Sequence, residues 1–501
     1  MTPVVPLHCT RAGSMARRPT RTASPSSIPI LLILLLGVVG CSVNPVTGQR
    51  QFVLFTERQE ISMGREADRD IVESLGEYDA PELREFVEEL GARMAAESER
   101  PDLPWTFRVL DDPTINAFAL PGGYIYLTRG ILAHFNSEAE LAGVVGHEIG
   151  HVTARHGVTR VSRAQLAQVG LGAAMILSPE LQPFGEAVGA GVQLLFLANS
   201  RSDERQADEL GFRYMREVGY DPRELASVFE MLGRASGAAD GDRIPGFLST
   251  HPDPLERRDE VIRMVEQEGV DLSEARVGRE SYLRMLDGMV YGTDPREGYF
   301  VQETFYHPEM AFRLAFPDGW ATVNARTRVQ GVSPERDAVV LVELAERADP
   351  SEARTAFLAQ GGVEPLRRWD EEVEGLRFWW ADFRAQADGS ALQGRVLFVR
   401  HGDHTFRILG YAPRSVWDRR EDALVRSLAS FREVTDPDVL GVEPRRIRLV
   451  EIARDMTLEE FMEAHPSNAS QRVVGEINHL DAGQVVPAGT LLKRIVGGPV
   501  Q

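Results

Sequence analysis

Two histidines lie four residues apart in the segment GHEIGH, and a glutamate follows the first of them. On a helix, His147 and His151 project from one face about one turn apart, so both imidazoles can bind the same small cation. Glu148 then reaches the open side of that cation, where its carboxylate can take a proton from a water molecule. The spacing therefore predicts a zinc site, with one ion per chain, that directs a hydroxide at a carbonyl carbon.

A zinc site that keeps one position for water needs a third protein ligand. The segment SRSDERQADELG supplies Glu204 and Asp208, which lie four residues apart on one face of a predicted helix. One carboxylate could bind the cation while the other holds a ligand histidine by a hydrogen bond. A solvated acidic stripe is the alternative interpretation of the same pattern.

The helix that carries the histidines has clear ends in the sequence. Ser137, with Glu140 three residues later, is a capping signature for its start, and Gly157 is its expected stop. His156 is then expected to place a charge at the C-terminal end of this helix. Upstream, Pro-Gly-Gly at residues 121–123 interrupts strand-like sequence, which favours a strand near a sheet edge.

Residues 165–198 contain two apolar stretches on either side of a proline-containing break. Each stretch is too short to span a bilayer, so we expect a helical hairpin packed beside the zinc site. The sequence leaves open whether this hairpin covers the site as a lid or dips into a membrane.

The length and composition indicate a multidomain globular protein. A chain of 501 residues predicts three or four domains. Its composition, 43% hydrophobic and 26% charged, favours a globular protein over a disordered or polytopic membrane protein. The 75 acidic residues outnumber the 55 basic ones, so no nucleic-acid partner is expected. Helical patterns dominate residues 57–290, strands with one helix follow in residues 300–434, and residues 443–501 are mixed. The expected fold class is therefore α+β and multidomain.

The first 40 residues have the layout of a secretory signal, with four arginines before an apolar run and no acid before Cys41. The end of the run resembles the lipobox of bacterial lipoproteins, which implies cleavage before Cys41 and a lipid on its sulfur. Residues 41–56 then form a lipidated tether, and Ser42 implies the periplasmic face of the outer membrane. Cys9 is the only other cysteine, so no disulfide framework is expected.

Four separated segments, NAFALPGGYIYLTRG, HEIGH, SRSDERQADELG and STHPDPLERR, occur in this order along the chain. Together they resemble the CAAX-prenyl-protease family of HExxH zinc metallopeptidases, especially its exported bacterial branch, over roughly residues 50–275. The resemblance implies a zincin-like gluzincin protease domain at residues 57–290, mainly α-helical with a small edge-strand sheet. The resemblance implies that the zinc ligands are His147, His151 and Glu204. It also implies that Glu148 is the general base and that Asp208 supports a ligand histidine through a hydrogen bond.

The same resemblance extends to four residues outside the zinc-binding helices. Asn116 and Ala117 match an edge strand along which an extended substrate would bind. His251 and Arg257 match a downstream His-Pro segment, and either could stabilise the oxyanion of the reaction. In this family such a histidine can instead close the fourth position on the zinc. For His251 both roles stay open, and so does a packing role in a proline-rich loop.

The last 50 or so residues resemble a lysin motif, with the order strand, two helices, strand. The usual Gly-Asp-Thr-Leu opening is replaced by Asp-Met-Thr-Leu at residues 455–458. A grip on peptidoglycan and a purely structural cap are therefore both open for residues 443–501, which follow an α+β accessory domain at residues 300–434.

These features favour a zinc endopeptidase that hydrolyses unfolded or misassembled proteins of the cell envelope. The expected partners are unfolded protein or peptide substrates, the membrane through the lipid on Cys41, and the outer-membrane assembly machinery. The alternative is a latched or inactive chaperone-like lipoprotein that binds envelope clients. A pure binding protein has no need of Glu148, which favours the enzyme.

Overall fold

The computed structural model describes residues 41–171, 198–236, 247–269, 271–387 and 390–498. The predicted signal at residues 1–40 and most of the predicted apolar hairpin at residues 165–198 lie outside these ranges. Among the helices that are described, none is both long enough and apolar enough to cross a membrane. The described residues have the α+β multidomain architecture that the sequence predicts.

The N-terminal part of the described chain is mainly helical. It begins with a two-stranded hairpin in the segment predicted as a tether, β1 (Cys41–Val43) paired antiparallel with β2 (Arg50–Phe52). The helices that follow are α1 (Glu57–Leu75), α2 (Pro81–Ala96), α3 (Arg129–His134), α4 (Glu138–Thr153), α5 (His156–Leu171), α6 (Arg201–Glu217), α7 (Arg223–Ser236), α8 (Phe247–Thr250), α9 (Pro254–Glu268) and α10 (Arg279–Leu286).

Helix α4 carries the histidine pair and starts where the sequence predicts. The Ser137 side chain accepts a hydrogen bond from the backbone N–H of Glu140, which confirms the predicted cap. The predicted stop at Gly157 is wrong, because α4 ends at Thr153 and α5 begins at His156. Between the two helices Arg155 adopts a φ of 64°, and its guanidinium is 3.0 Å from the carboxylate of Glu60. This left-handed residue, held by a distant partner, ends the helix.

A three-stranded sheet covers one side of α4. It consists of β3 (Thr106–Leu110), β4 (Ala117–Leu120) and β5 (Tyr124–Thr128) in the order β3-β5-β4, so β4 is an edge strand. Strands β4 and β5 are antiparallel and are joined by the Pro-Gly-Gly turn, in which both glycines have positive φ. The prediction of an edge strand interrupted at residues 121–123 is confirmed.

The middle of the chain forms two antiparallel sheets. A four-stranded sheet has the order β16-β8-β7-β6, and a seven-stranded sheet has the order β12-β13-β14-β15-β11-β10-β9. The strands are β6 (Tyr299–Val301), β7 (Thr304–His307), β8 (Phe312–Ala315), β9 (Ala321–Ala325), β10 (Arg328–Val332), β11 (Val339–Leu344), β12 (Val363–Val373), β13 (Leu376–Ala387), β14 (Ser390–His401), β15 (His404–Pro413) and β16 (Arg432–Glu433).

Two helices pack on these sheets, whereas the sequence analysis expected one. They are α11 (Pro350–Leu358) and α12 (Trp417–Leu428). The additional helix, α11, is short and is capped by the Asp349 side chain, with Pro350 in its first turn. A brief helix between two long strands has too little periodicity to stand out in the sequence.

The C-terminal region follows α13 (Pro437–Leu440) and contains two small helices and two strand pairs. These elements are β17 (Arg446–Glu451), β18 (Met456–Thr457), α14 (Leu458–Ala464), α15 (Gln471–Asn478), β19 (Val485–Val486) and β20 (Leu491–Val496). Ile447, Ile477 and Ile495 belong to the same buried cluster as the core of the N-terminal helices. The C-terminal region is therefore packed against the helical domain.

Candidate metal centre

Four side chains from three parts of the chain converge on one buried point. His147 and His151 come from α4, Glu204 from α6, and His251 from the turn after α8. One nitrogen or oxygen atom of each lies within 4.8 Å of the corresponding atom of every other, and all four residues are buried. The structure thus brings the three predicted zinc ligands together with His251 at one point.

The donor set fits a tetrahedral zinc ion. Zinc bonds of about 2.0–2.1 Å place neighbouring ligand atoms roughly 3.3 Å apart. Here the two Nε2 atoms of His147 and His151 are 3.0 Å apart, and Nε2 of His151 is 3.3 Å from Oε1 of Glu204. Nδ1 of His251 is 3.2 Å from Nε2 of His147. Nitrogen lone pairs that converge at this spacing beside a carboxylate are the arrangement that a cation stabilises.

Close contact between α4 and α6 makes this convergence possible. A Cβ atom added at Gly211 of α6 would lie 2.9 Å from the backbone nitrogen of His147. One added at Gly150 of α4 would lie 3.1 Å from Cα of Ala207. Because both positions are glycine, the two backbones can approach closely. The histidines of α4 and Glu204 of α6 can then meet at one point.

Asp208 and Arg257 contact the candidate ligands without belonging to the cluster itself. Oδ1 of Asp208 is 2.8 Å from Nδ1 of His147, which fixes that ring with Nε2 free for a cation. Arg257 lies 2.6 Å from Asp208 and 2.8 Å from Glu204, and its guanidinium stacks over the Phe229 ring. Arg257 is thus bound to the carboxylates and does not face the cleft, where an oxyanion would form.

Neighbouring side chains keep the carboxylates of Glu204 and Asp208 in the ionised form. Burial alone would raise the pKa of Glu204, but His251 and Arg257 hold it well below its usual range. Burial also opposes ionisation of Asp208, and Arg257 nevertheless keeps the pKa of Asp208 below its ordinary value. Ionised carboxylates in these positions suit a cation and its ligand histidines.

His156 fixes the tautomer of His151. Its Nε2 is 2.9 Å from Oε1 of Gln206, an acceptor, so this nitrogen carries the hydrogen. Burial lowers the pKa of His156, and the neutral ring then accepts at Nδ1, 2.8 Å from Nδ1 of His151. His151 therefore donates at Nδ1 and keeps Nε2 free for the cation. The expected role of His156 as a charge at a helix end is wrong, because this buried residue begins α5.

Glu148 lies beside the cluster and outside it. Its side chain is buried, and Oε1 has no hydrogen-bond partner among the residues that the structure describes. Nε2 of His251 lies 3.5 Å from Oε1 of Glu148. Burial raises the pKa of Glu148 to about 7, which suits a group that exchanges protons near neutral pH.

His251 occupies the side of the cluster that faces Glu148. Its Nδ1 is 3.0 Å from both carboxylate oxygens of Glu204, and its ring stacks on Phe247 at 4.3 Å. Asn199, which the sequence analysis did not single out, directs its amide nitrogen at Nε2 of His151, 3.3 Å away. No spacing pattern marks Asn199, because it precedes α6 and reaches the cluster only through the fold.

A cleft lies between the edge strand β4 and helix α4. Residues 118–121 line one side, and Glu148, His151 and His251 line the other. Of the predicted substrate residues, Asn116 directly precedes β4 and Ala117 is its first residue; both are buried and lie just before the segment that lines the cleft. The space between the two sides is about 460 Å³ and is partly open to solvent.

Comparison with known proteins identifies relatives for the helical part of the chain. Residues 81–265 match the family model described as Peptidase family M48. The mitochondrial metalloendopeptidase OMA1 of Schizosaccharomyces pombe is 32% identical over 243 residues, which are 47% of this chain and 68% of that protein. OMA1 of Arabidopsis thaliana is 39% identical over 166 residues, 32% of each chain.

A bacterial relative is the beta-barrel assembly-enhancing protease of Escherichia coli K12, which is 29% identical over 207 residues. The match covers 40% of this chain and 42% of that protein. The chain therefore spans less than half of the Arabidopsis and Escherichia coli relatives. The family match at residues 81–265 contains α2 to α8 and most of α9, and with them every residue of the buried cluster.

Proposed function

Because the chain belongs to peptidase family M48, we propose that its buried cluster binds zinc and hydrolyses peptide bonds. The predicted enzyme class, a zinc metalloendopeptidase, is confirmed by this membership and by the metalloendopeptidases among the relatives. In the proposed mechanism His147, His151 and Glu204 are the protein ligands. The observation that carries it is their convergence at one buried point with Glu148 directly beside it.

Zinc, when bound, supplies a Lewis acid that polarises a peptide carbonyl and lowers the pKa of water to about 7. Glu148 removes a proton from the attacking water and returns it to the nitrogen of the leaving amine. Asp208 keeps His147 in the tautomer that presents Nε2, and His156 does the same for His151. Arg257 orients Glu204 and Asp208, a positioning role that its two carboxylate contacts support.

We propose that His251 acts as a latch, by which we mean a residue that blocks the zinc site and must move away before a substrate is cleaved. Its nitrogen completes a four-membered donor set, and its ring stands between Glu148 and the other ligands. A catalytic zinc site needs one position for water, so His251 must leave the cluster before hydrolysis. The cleft supports the same view, since His251 lines it opposite β4, next to the path that an extended peptide bound along β4 would take.

The proposed substrates are unfolded or misassembled proteins of the cell envelope. An edge strand recognises extended backbone with little regard for sequence, which suits unfolded chains. The name of the Escherichia coli relative, a protease that enhances beta-barrel assembly, supports an envelope role with outer-membrane assembly machinery as partner. The lipid on Cys41, the outer-membrane location and a grip of residues 443–501 on peptidoglycan remain predictions from the sequence.

Zinc content and casein cleavage, measured together, test the proposed activity. The wild-type chain should bind one zinc ion and cleave casein, and Glu148→Gln should keep the zinc but lose cleavage by at least about 100-fold. Glu209→Gln, an exposed glutamate on α6, is the matched control and should behave as wild type. Cleavage that survives Glu148→Gln, or a wild-type chain that binds no zinc, would favour the chaperone-like alternative.

A further inference from the structure

Three of the large apolar side chains that the structure exposes belong to two neighbouring segments. Val43 lies on the N-terminal hairpin with 56% of its surface exposed, Leu54 follows the hairpin with 39%, and Leu166 lies on α5 with 58%. The backbone nitrogen of Leu54 donates to Oγ of Ser162 on α5, at 3.0 Å. Leu166 lies one turn beyond Ser162 on the same side of α5, so Leu54 and Leu166 border a common surface.

We call residues 42–56 and 156–166 together the hairpin–helix face. Neither segment contains an aspartate or a glutamate. At the average of the whole chain, 75 acids in 501 residues, about four acids would be expected among these 26 positions. The face carries exposed Arg50 and Arg163 instead, and Arg50 is the cross-strand partner of Val43. In a chain with a net charge of −20, these two segments combine exposed apolar and basic side chains and contribute no acidic residue.

The hairpin is bound firmly to the catalytic part of the molecule. Arg155, which ends α4 and lines the cleft, donates to Oγ of Ser42 and to the backbone oxygen of Phe55. The Asn44 side chain donates to the backbone oxygen of Ala154, at 3.3 Å. The face therefore keeps a defined position relative to the cleft.

We propose that the hairpin–helix face lies on a bilayer that contains anionic lipids and holds the cleft at the membrane surface. Exposed leucines and valine enter the headgroup region, while Arg50 and Arg163 pair with lipid phosphates. Residue 41, the predicted site of lipidation, begins the same hairpin, so a lipid there and the face would contact one membrane. This binding is a property of the surface and does not rest on the proposed hydrolysis.

A fluorescent label reports contact at single positions. The chain that starts at residue 41 retains every described element and, with Cys41→Ser, contains no cysteine and no lipid. We would label Leu54→Cys, Leu166→Cys and, as the matched control, Leu440→Cys, which is 41% exposed on α13. Vesicles of phosphatidylglycerol and phosphatidylcholine, with a brominated lipid as quencher, should shift and quench the labels at 54 and 166 but not at 440.

Substitutions then separate the apolar from the electrostatic contribution to vesicle binding, which sedimentation with vesicles measures. Leu54→Gln with Leu166→Gln should weaken binding on the order of tenfold, and Arg50→Gln and Arg163→Gln should each weaken it about fivefold. Thermal melting of each variant verifies that the fold is intact. Equal responses at all three labels, no response to vesicles, or a concentration-dependent dimer that buries the labels without lipid would each overturn the proposal. Vesicle binding without casein cleavage would contradict only the proposed function.

Discussion

At the scale of single residues, two buried glutamates in the same site have opposite tendencies. His251 and Arg257 hold the pKa of Glu204 low, whereas burial raises that of Glu148 to about 7. An ionised carboxylate suits a metal ligand, and a carboxylate that exchanges protons near neutral pH suits a general base. The position of Glu148 directly after His147 predicts the role of base, whereas the spacing of Glu204 and Asp208 alone does not decide which of the two binds the cation.

The pKa of Glu148 predicts how peptide hydrolysis depends on pH. A general base must be unprotonated, so activity should be lost as the pH falls through this pKa. A bound divalent cation lowers the value further, which places the acid limb of kcat/KM at or below about pH 7. Steady-state cleavage of a fluorogenic peptide between about pH 5 and 8 measures it, with zinc content checked at each pH. A flat profile with zinc retained would exclude Glu148 as the base.

Replacing His251 tests the latch directly. Alanine there opens one position in the donor set and enlarges the cleft, so casein cleavage by His251→Ala should exceed the wild-type rate several-fold. His404→Ala, at the turn between β14 and β15, is the control and should leave the rate unchanged. If His251→Ala binds zinc normally but cleaves more slowly than wild type, His251 assists the reaction, as an oxyanion-stabilising residue would.

At the scale of elements, the distance between α4 and α6 determines whether the ligands can meet. Gly211→Ala should push the helices apart, because the new Cβ would meet the backbone of His147 at 2.9 Å. We expect a loss of about 1–3 kcal/mol in the free energy of unfolding, together with weaker zinc binding as Glu204 moves away from the histidines. Differential scanning calorimetry and zinc titration against a chelator measure the two effects.

The control for this change is Gly233→Ala on α7. Its Cβ would meet only the end of the Leu255 side chain, at 2.5 Å, which can rotate away. The control should therefore lose less stability and keep wild-type affinity for zinc. Wild-type zinc affinity in Gly211→Ala would mean that the close approach of the helices does not position Glu204.

Elements whose signals are local could be predicted from the sequence. The cap at Ser137 and the Pro-Gly-Gly turn beside β4 depend on residues within a few positions, and both were predicted correctly. The end of α4 was not, because Arg155 is held in its left-handed conformation by Glu60, which lies 95 residues away in the sequence. His156 and Asn199 were missed for the same reason, since only the folded chain brings them to His151.

At the scale of the whole molecule, the only lysine of the chain joins the C-terminal region to the helical domain. Lys493 on β20 is fully buried, and its Nζ donates to the backbone oxygens of Ala133 and Phe135, both at 2.9 Å. These carbonyls lie at the end of α3, where a helix leaves oxygens without partners. The sequence shows that lysine is rare in this chain. Only the packing of β20 against α3 shows that Lys493 connects the two regions through hydrogen bonds.

Burial lowers the pKa of Lys493 well below its ordinary value of 10.5, so the amine is more readily neutral in the folded chain than in the unfolded chain. Between the two pKa values the unfolded chain binds the extra proton, so the contribution of Lys493 to stability rises with pH up to about 10.5. Lys493→Met keeps the apolar stem and removes the titration. The melting temperature of wild type minus that of Lys493→Met should increase as the pH rises from about 7 to 10. A difference that stays constant over this range would mean that Lys493 is charged in the folded protein, with the two carbonyls stabilising an ammonium ion.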